Sequence, residues 1–307
     1  MRVLKAARLL VVSVLLMALG LPALAADAPL QWLRGHWQQG ELLIGRVPSD
    51  ATVRYNGTRI RVGGDGRFAI GLDRDAAGEA VVEVDLADGR RHQERHPIES
   101  RQYSIQRLTL PPDKVNPPPE VTARIEREAA KVREARSVDS DRDDYASAFV
   151  WPCVGRISGV YGSQRILNGE KKQPHYGVDV AVPTGTPIKA PAGGIVTLAE
   201  PDLYFTGGTL MIDHGHGLVS AFLHLSSLSL QVGDQVEQGQ VIGRSGATGR
   251  ATGPHLDWRI SWFDTRVDPQ RLVPAMPSSK PASKSKPTSK LIPKPKLGGQ
   301  HKMPARG

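Results

Sequence analysis

Cysteine is almost absent. The 307 residues contain one, Cys153, so no disulfide can form within the chain, and a fold of this composition rests on packing alone. The neighbours of Cys153, Trp151, Pro152 and Val154, are largely apolar. That setting predicts a buried, inert thiol, since a nucleophile needs a paired base and none is marked nearby. Long hydrophobic runs are also missing beyond the first 25 residues, which excludes a second membrane span of ordinary length. Acidic residues are missing from both ends of the chain. Three of the charges behind the formal +9 fall in residues 1–25 and eight in residues 277–307, which leaves −2 for the body between them. A near-neutral body argues against a nucleic-acid partner for the folded part.

The first 25 residues have the layout of an export signal. Arg2, Lys5 and Arg8 precede an apolar run from Leu9 to Leu21, and Ala23-Leu24-Ala25 forms a small-x-small cleavage site before Ala26. An uncleaved anchor is the other reading of this segment. No cysteine follows the run, so a lipoprotein anchor is not expected. Export would place the mature chain in the periplasm. The tail, 277–307, is rich in Pro, Ser and Lys with few apolar residues, a composition that cannot bury enough surface to order itself. A basic tail on an exported chain is expected to meet an anionic envelope polymer or membrane surface, or to be a solvated end with no specific partner.

Between these ends the chain reads as mainly β. Residues 26–112 are predicted as a small β-sandwich-like domain. Asn56-Gly57, Asp65-Gly66 and Asp88-Gly89 punctuate short alternating segments, which is strong hairpin chemistry. Val53, Tyr55, Ile60, Val62, Phe68 and Ile70 supply one buried face. His36, His92 and His96 lack a ligand pattern and are expected at the surface or in structural roles. Residues 113–148 form a linker with a helix from about Glu120 to Arg136, its stripe drawn from Val121, Ile125, Ala129, Val132 and Ala135. A connecting helix is the plainer reading and a gate over the site the other. Residues 149–276 return to β patterning.

Chemistry concentrates in three stretches of that last segment: Pro174-His175-Tyr176-Gly177-Val178-Asp179, Leu223-His224-Leu225-Ser226, and Gly253-Pro254-His255-Leu256-Asp257. Residues two or four apart on a strand share a face, so His175 and Asp179 can converge, as can His255 and Asp257. Imidazole and carboxylate are the ligands a catalytic zinc accepts, typically three of them with a water. His214 and His216 have ligand-like spacing too, but a glycine follows each, which favours a turn. The Gly233-Asp234 and Gly239-Gln240 rhythm also occurs in lipoyl and biotinyl carrier modules. Those need a hairpin lysine that this segment lacks, so the block is read as scaffold.

These residues, with Trp151-Pro152, Gly155-Arg156-Ile157-Ser158, Pro183-x-Gly185-Thr186-Pro187, Ala190 and Thr252-Gly253-Pro254-His255, resemble the lysostaphin-like, LytM-type zinc metallopeptidases. The resemblance implies an antiparallel β-sheet peptidase domain over 149–276, one zinc ion, and hydrolysis of peptide cross-links or stem peptides in peptidoglycan. It implies His175 and Asp179 as ligands and His224 and His255 as catalytic. Where that family usually has a second His as third ligand, this chain has Asp257, a ligand by type. A relative that keeps the fold but has lost catalysis, and activates other cell-wall hydrolases, is the alternative reading.

Overall fold

A computed structural model describes residues 28–109 and 117–277. The export signal and its cleavage site lie outside the described residues, as do the boundary between 112 and 113 and all but the first residue of the basic tail. Among the described residues no helix is long and apolar enough to cross a membrane.

The N-terminal part contains β1 (Gln31–Arg34), β2 (Leu42–Arg46), β3 (Thr52–Tyr55), β4 (Thr58–Ile60), β5 (Arg67–Gly71), β6 (Glu79–Asp85) and β7 (Arg91–Pro97). They form two antiparallel sheets, ordered β1-β2-β5 and β4-β3-β6-β7. Asn56 (φ 49°) and Gly57 (φ 80°) close the β3–β4 hairpin in the left-handed region, as a two-residue I′ turn requires. Val53, Phe68, Ile70, Val82 and Val84 are fully buried between the sheets and their neighbours, in keeping with a small sandwich. His92 and His96 both contact the Glu94 carboxylate, and His96 also stacks on Trp37.

β8 (Ile105–Leu108) leaves this unit, and the chain then enters helix α1 (Thr122–Arg136), preceded by one 3₁₀ turn over Pro119–Val121. Val132 and Ala135 of α1 pack on Leu198, Leu203, Met211 and Val219. The helix therefore lies on the back of the next sheet and contributes nothing to the walls of the site cleft.

The C-terminal part supplies β9 (Arg156–Gly159), β10 (Gln164–Leu167), β11 (Glu170–Lys171), β12 (Val178–Ala181), β13 (Pro187–Lys189), β14 (Gly194–Leu203), β15 (Gly207–Asp213), β16 (Leu218–Leu225), β17 (Ser227–Leu228), β18 (Gln235–Val236), β19 (Val241–Arg244), β20 (Leu256–Trp262) and β21 (Thr265–Val267). Eight of them build one antiparallel sheet, β18-β14-β15-β16-β20-β12-β9 with β21 beside β20. A smaller sheet, β13-β19-β17, covers one end. β15 and β20 are buried almost throughout, although β20 alternates Leu256, Trp258, Ile260 and Trp262 with Asp257, Arg259 and Ser261, so its polar face is covered too. Gly233 and Gly239 take φ values of 93° and 84° in the turns flanking β18, which makes the Gly-Asp and Gly-Gln rhythm scaffold.

The two β units share one hydrophobic cluster. Tyr55 meets the Trp262 ring edge-on at 6.1 Å, and Arg101 pairs with the buried Asp268 at 2.9 Å. Cys153 is 7% exposed, and burial pushes its thiol up to about 12; the inert reading of this residue fits that setting.

Candidate metal centre

β12 and β20 are adjacent and in register, with Asp179 directly opposite Asp257. Opposed side chains on one face of an antiparallel pair stand about 4.5–5.5 Å apart at Cβ, so two carboxylates are forced together. His175 joins them from outside the strand. It lies in the approach to β12, where its N–H donates to the Ser163 carbonyl and its own carbonyl accepts from Gly162 N. The convergence expected from strand alternation is thus reached through a looped backbone. Donor atoms of His175, Asp179 and Asp257 all lie within 4.8 Å of one another, and all three residues are buried. Among the described residues they are the one such group.

Two glycines make the space. A Cβ on Gly159 would stand 2.1 Å from Asp179 Oδ2, and one on Gly177 would stand 2.6 Å from Asp257 Oδ1. Neither distance is survivable for a side chain, so the carboxylates occupy room that only glycine leaves.

The donor set is poorly satisfied by the protein itself. His175 Nε2 lies 3.0 Å from Asp179 Oδ1 and 3.5 Å from Asp257 Oδ2. Yet His175 Nε2 and Asp179 Oδ1 have no well-aligned hydrogen-bond partner, and His175 Nδ1 is buried without one as well. Burial favours a neutral His175, but the two carboxylates, Asp257 foremost, outweigh it and the net shift is upward. That cavity therefore stabilises positive charge. Buried polar atoms are almost always paired, and an unpaired imidazole and carboxylate aimed at one point fit a zinc-type cation.

Asp257 differs from its neighbours. Burial would raise its pKa, but Arg259 and then His175 hold the carboxyl well below the usual range. Arg259 donates from Nη2 to Oδ2 at 2.6 Å and from Nε to Oδ1 at 3.0 Å. A carboxylate offers about four lone-pair sites, so this grip leaves capacity for a metal.

His224 and His255 stand side by side, ring centroids 4.8 Å apart. His224, the penultimate residue of β16, takes φ 62°, a costly conformation for a non-glycine residue. Its backbone N–H is held by the Thr206 carbonyl. Its Nδ1 lies 2.8 Å from the Thr248 carbonyl, and His255 Nδ1 lies 2.8 Å from the Gly253 carbonyl. A carbonyl only accepts, so each Nδ1 carries a proton and each Nε2 is the nitrogen left for other partners. Burial pushes His224 down to about 4, so it is neutral at neutral pH. His255 Nε2 is 3.9 Å from Asp179 Oδ1.

His214 and His216 are elsewhere. His214 is fully buried, its Nδ1–H donating to the Gly193 carbonyl and its Nε2 accepting from the Ser220 hydroxyl. His216 takes φ 50° in the β15–β16 turn and stacks on Tyr145. Both are structural.

Arg259 and Arg165 escaped the sequence reading. Arg259 had a signal: His255, Asp257 and Arg259 alternate on one strand face. Arg165 had none, because β10 reaches the cleft by tertiary packing.

The profile of Peptidase family M23 matches residues 173–269. Vibrio cholerae peptidoglycan DD-endopeptidase ShyA is 36% identical over 127 residues, which is 41% of this chain and 29% of ShyA. The DD-carboxypeptidase/endopeptidase Mpg of Neisseria meningitidis is 37% identical over 130 residues, 42% of this chain and 30% of Mpg. The chain thus spans under a third of the length of these curated relatives. The crystal structure of a peptidase M23 from Pseudomonas aeruginosa is 34% identical, with a TM-score of 0.62, over 78% of this chain and 96% of that one. With that likeness spanning both β units, the chain belongs to peptidase family M23.

Proposed function

We propose that the protein is a zinc-dependent endopeptidase that hydrolyses peptide cross-links or stem peptides of peptidoglycan. The observation that carries this is the set of buried, unpartnered donor atoms of His175 and Asp179 converging with Asp257. His175, Asp179 and Asp257 would hold one zinc ion. Zinc, when bound, polarises a scissile carbonyl and lowers the pKa of water to about 7. The chain's own part is proton handling. His224 and His255 each have Nε2 left for the reaction, since Nδ1–H is held by a backbone carbonyl. A ring with a free lone pair at Nε2 accepts the proton of the attacking water, and a ring protonated at Nε2 donates a hydrogen bond to the developing oxyanion or the leaving amine. The relatives ShyA, a peptidoglycan DD-endopeptidase, and Mpg, a DD-carboxypeptidase/endopeptidase, support the substrate class. The export signal layout supports work in the periplasm, and the basic tail supports contact with an anionic envelope polymer or membrane surface.

A second reading, an inactive activator of other cell-wall hydrolases, is favoured by one feature: the third-ligand position, usually histidine in the related motif, holds Asp257, and Arg259 grips it. The test is a digest of purified cross-linked muropeptides with zinc measured on the same preparation. New peptide termini with one zinc per chain are expected. Zinc-loaded protein that cuts nothing but stimulates a separate wall hydrolase would overturn the enzyme reading.

A further inference from the structure

The cleft over the centre is lined by cations. Among the described residues its walls include the guanidinium groups of Arg156, Arg165 and Arg250 and one carboxylate, Asp179. Asp257 offers no relief, because Arg259 already holds it. Arg165 reaches Asp179 only at 3.4 Å through one terminal nitrogen, and its Nε is buried without a partner. Arg156 is exposed at the rim. Arg250 lies over the Phe205 ring, its guanidinium carbon 4.4 Å from the centroid, which fixes the head beside the cleft. Any dication bound below adds two further charges of the same sign.

A second orphan sits next to the first. Gln106 lies opposite Arg165 in the parallel β8–β10 pair and also lines the cleft. Its Oε1 is buried without a partner. An unpaired donor and an unpaired acceptor, on register partners and not bonded to each other, call for a ligand that supplies an anion and an N–H together. A peptide with a free carboxylate has both. Guanidinium groups bind carboxylates through charge-assisted hydrogen bonds about twice as strong as neutral ones.

We infer that Arg165, with Arg156, Arg250 and the Gln106 acceptor, forms a subsite for a free carboxylate carried by the substrate peptide close to the scissile amide. This rests on reading the neighbouring centre as that of a peptidase. It deepens that reading by naming the substrate class as anionic peptides.

The experiment uses two N-acetylated peptides of identical sequence, one ending in a free carboxylate and one in a carboxamide. Their binding to the metal-free full chain is measured by titration calorimetry, and their cleavage by the zinc-loaded chain by mass spectrometry. The acid should bind roughly tenfold or more tightly than the amide, with the difference appearing in KM. Arg165→Gln should reduce that preference to about threefold or less, Arg165→Lys should keep part of it, and the exposed Arg156→Gln, which puts folding at no risk, should erode it. Equal binding of acid and amide, or no binding of either, overturns the subsite. So does a preference untouched by both glutamine variants. Cleavage of both peptides without preference removes the subsite and leaves the peptidase reading intact. An Arg165-dependent preference without any cleavage does the opposite.

Discussion

Arg259 closes on Asp257 from two residues along the same strand, with contacts of 2.6 and 3.0 Å to the two carboxylate oxygens. Period-two alternation puts both side chains on one face of β20, so the pair is built by local geometry. The guanidinium both keeps Asp257 ionised and fixes its rotamer. Outer partners of this kind orient ligands, and their loss typically costs 10–100-fold in metal affinity.

Two substitutions separate ligand from support. Asp257→Ala should abolish stoichiometric zinc binding, because His175 and Asp179 alone leave too few donors. Arg259→Gln should keep stoichiometry at saturation but weaken affinity by about 10–100-fold. Zinc titration against a competing chelator reads both. Full zinc affinity in Asp257→Ala would remove Asp257 from the ligand set.

Gly159 gives an independent check on the position of Asp179. A methyl at residue 159 would lie 2.1 Å from Asp179 Oδ2, so Gly159→Ala must displace that carboxylate. The expected result is loss of zinc affinity comparable to Asp179→Ala, while Gly64→Ala, whose Cβ meets nothing within 4 Å and whose backbone is outside the left-handed region, leaves the metal in place. Unchanged zinc binding in Gly159→Ala would show that Asp179 does not need its present rotamer.

The sequence carried more of this site than of its surroundings. Hairpin dipeptides such as Asn56-Gly57 were legible because a left-handed turn admits few residue types. The ordered His175, Asp179, His224, His255 and Asp257 were legible as a motif, although His175 reaches the centre from a loop and not by strand alternation. Arg165 and Gln106 were not legible. Their partnership depends on the parallel pairing of β8 with β10 across a sequence separation that local patterning does not encode. The fused core was equally hidden, since Tyr55 and Trp262 carry no mark of each other.

His224 and His255 should behave as chemical groups and not as ligands. Both keep their Nδ1–H on a backbone carbonyl, so replacement should leave His175, Asp179 and Asp257 intact. His224→Ala and His255→Ala should each lower peptide cleavage by about 10²–10⁴-fold with zinc still bound. Mass-resolved digests and metal analysis on the same samples decide. Two variants that cut as fast as the parent would keep the peptidase and discard these roles.

Acid sensitivity should trace in part to His214. Complete burial holds its imidazole down to about 4, against an ordinary value of 6.5. The unfolded chain therefore takes up this proton near pH 6.5, while the folded chain refuses it until about pH 4. Across that window the unfolded state binds more protons, so stability rises with pH and falls as the solution is acidified. Between pH 7.5 and pH 5 the loss from His214 alone should be about 2 kcal/mol. His224, pushed to about 4 by its own burial, adds a term of the same sign. His175 opposes both, because its pKa is raised in the fold. The clean measurement is thus a difference. Guanidinium unfolding midpoints at the two pH values are compared for the parent and for His214→Asn, which can still donate to Gly193 and accept from Ser220. The variant should be less stable at pH 7.5 yet lose less on acidification. An identical pH slope in both proteins would mean that His214 is not the proton acceptor that acid exploits.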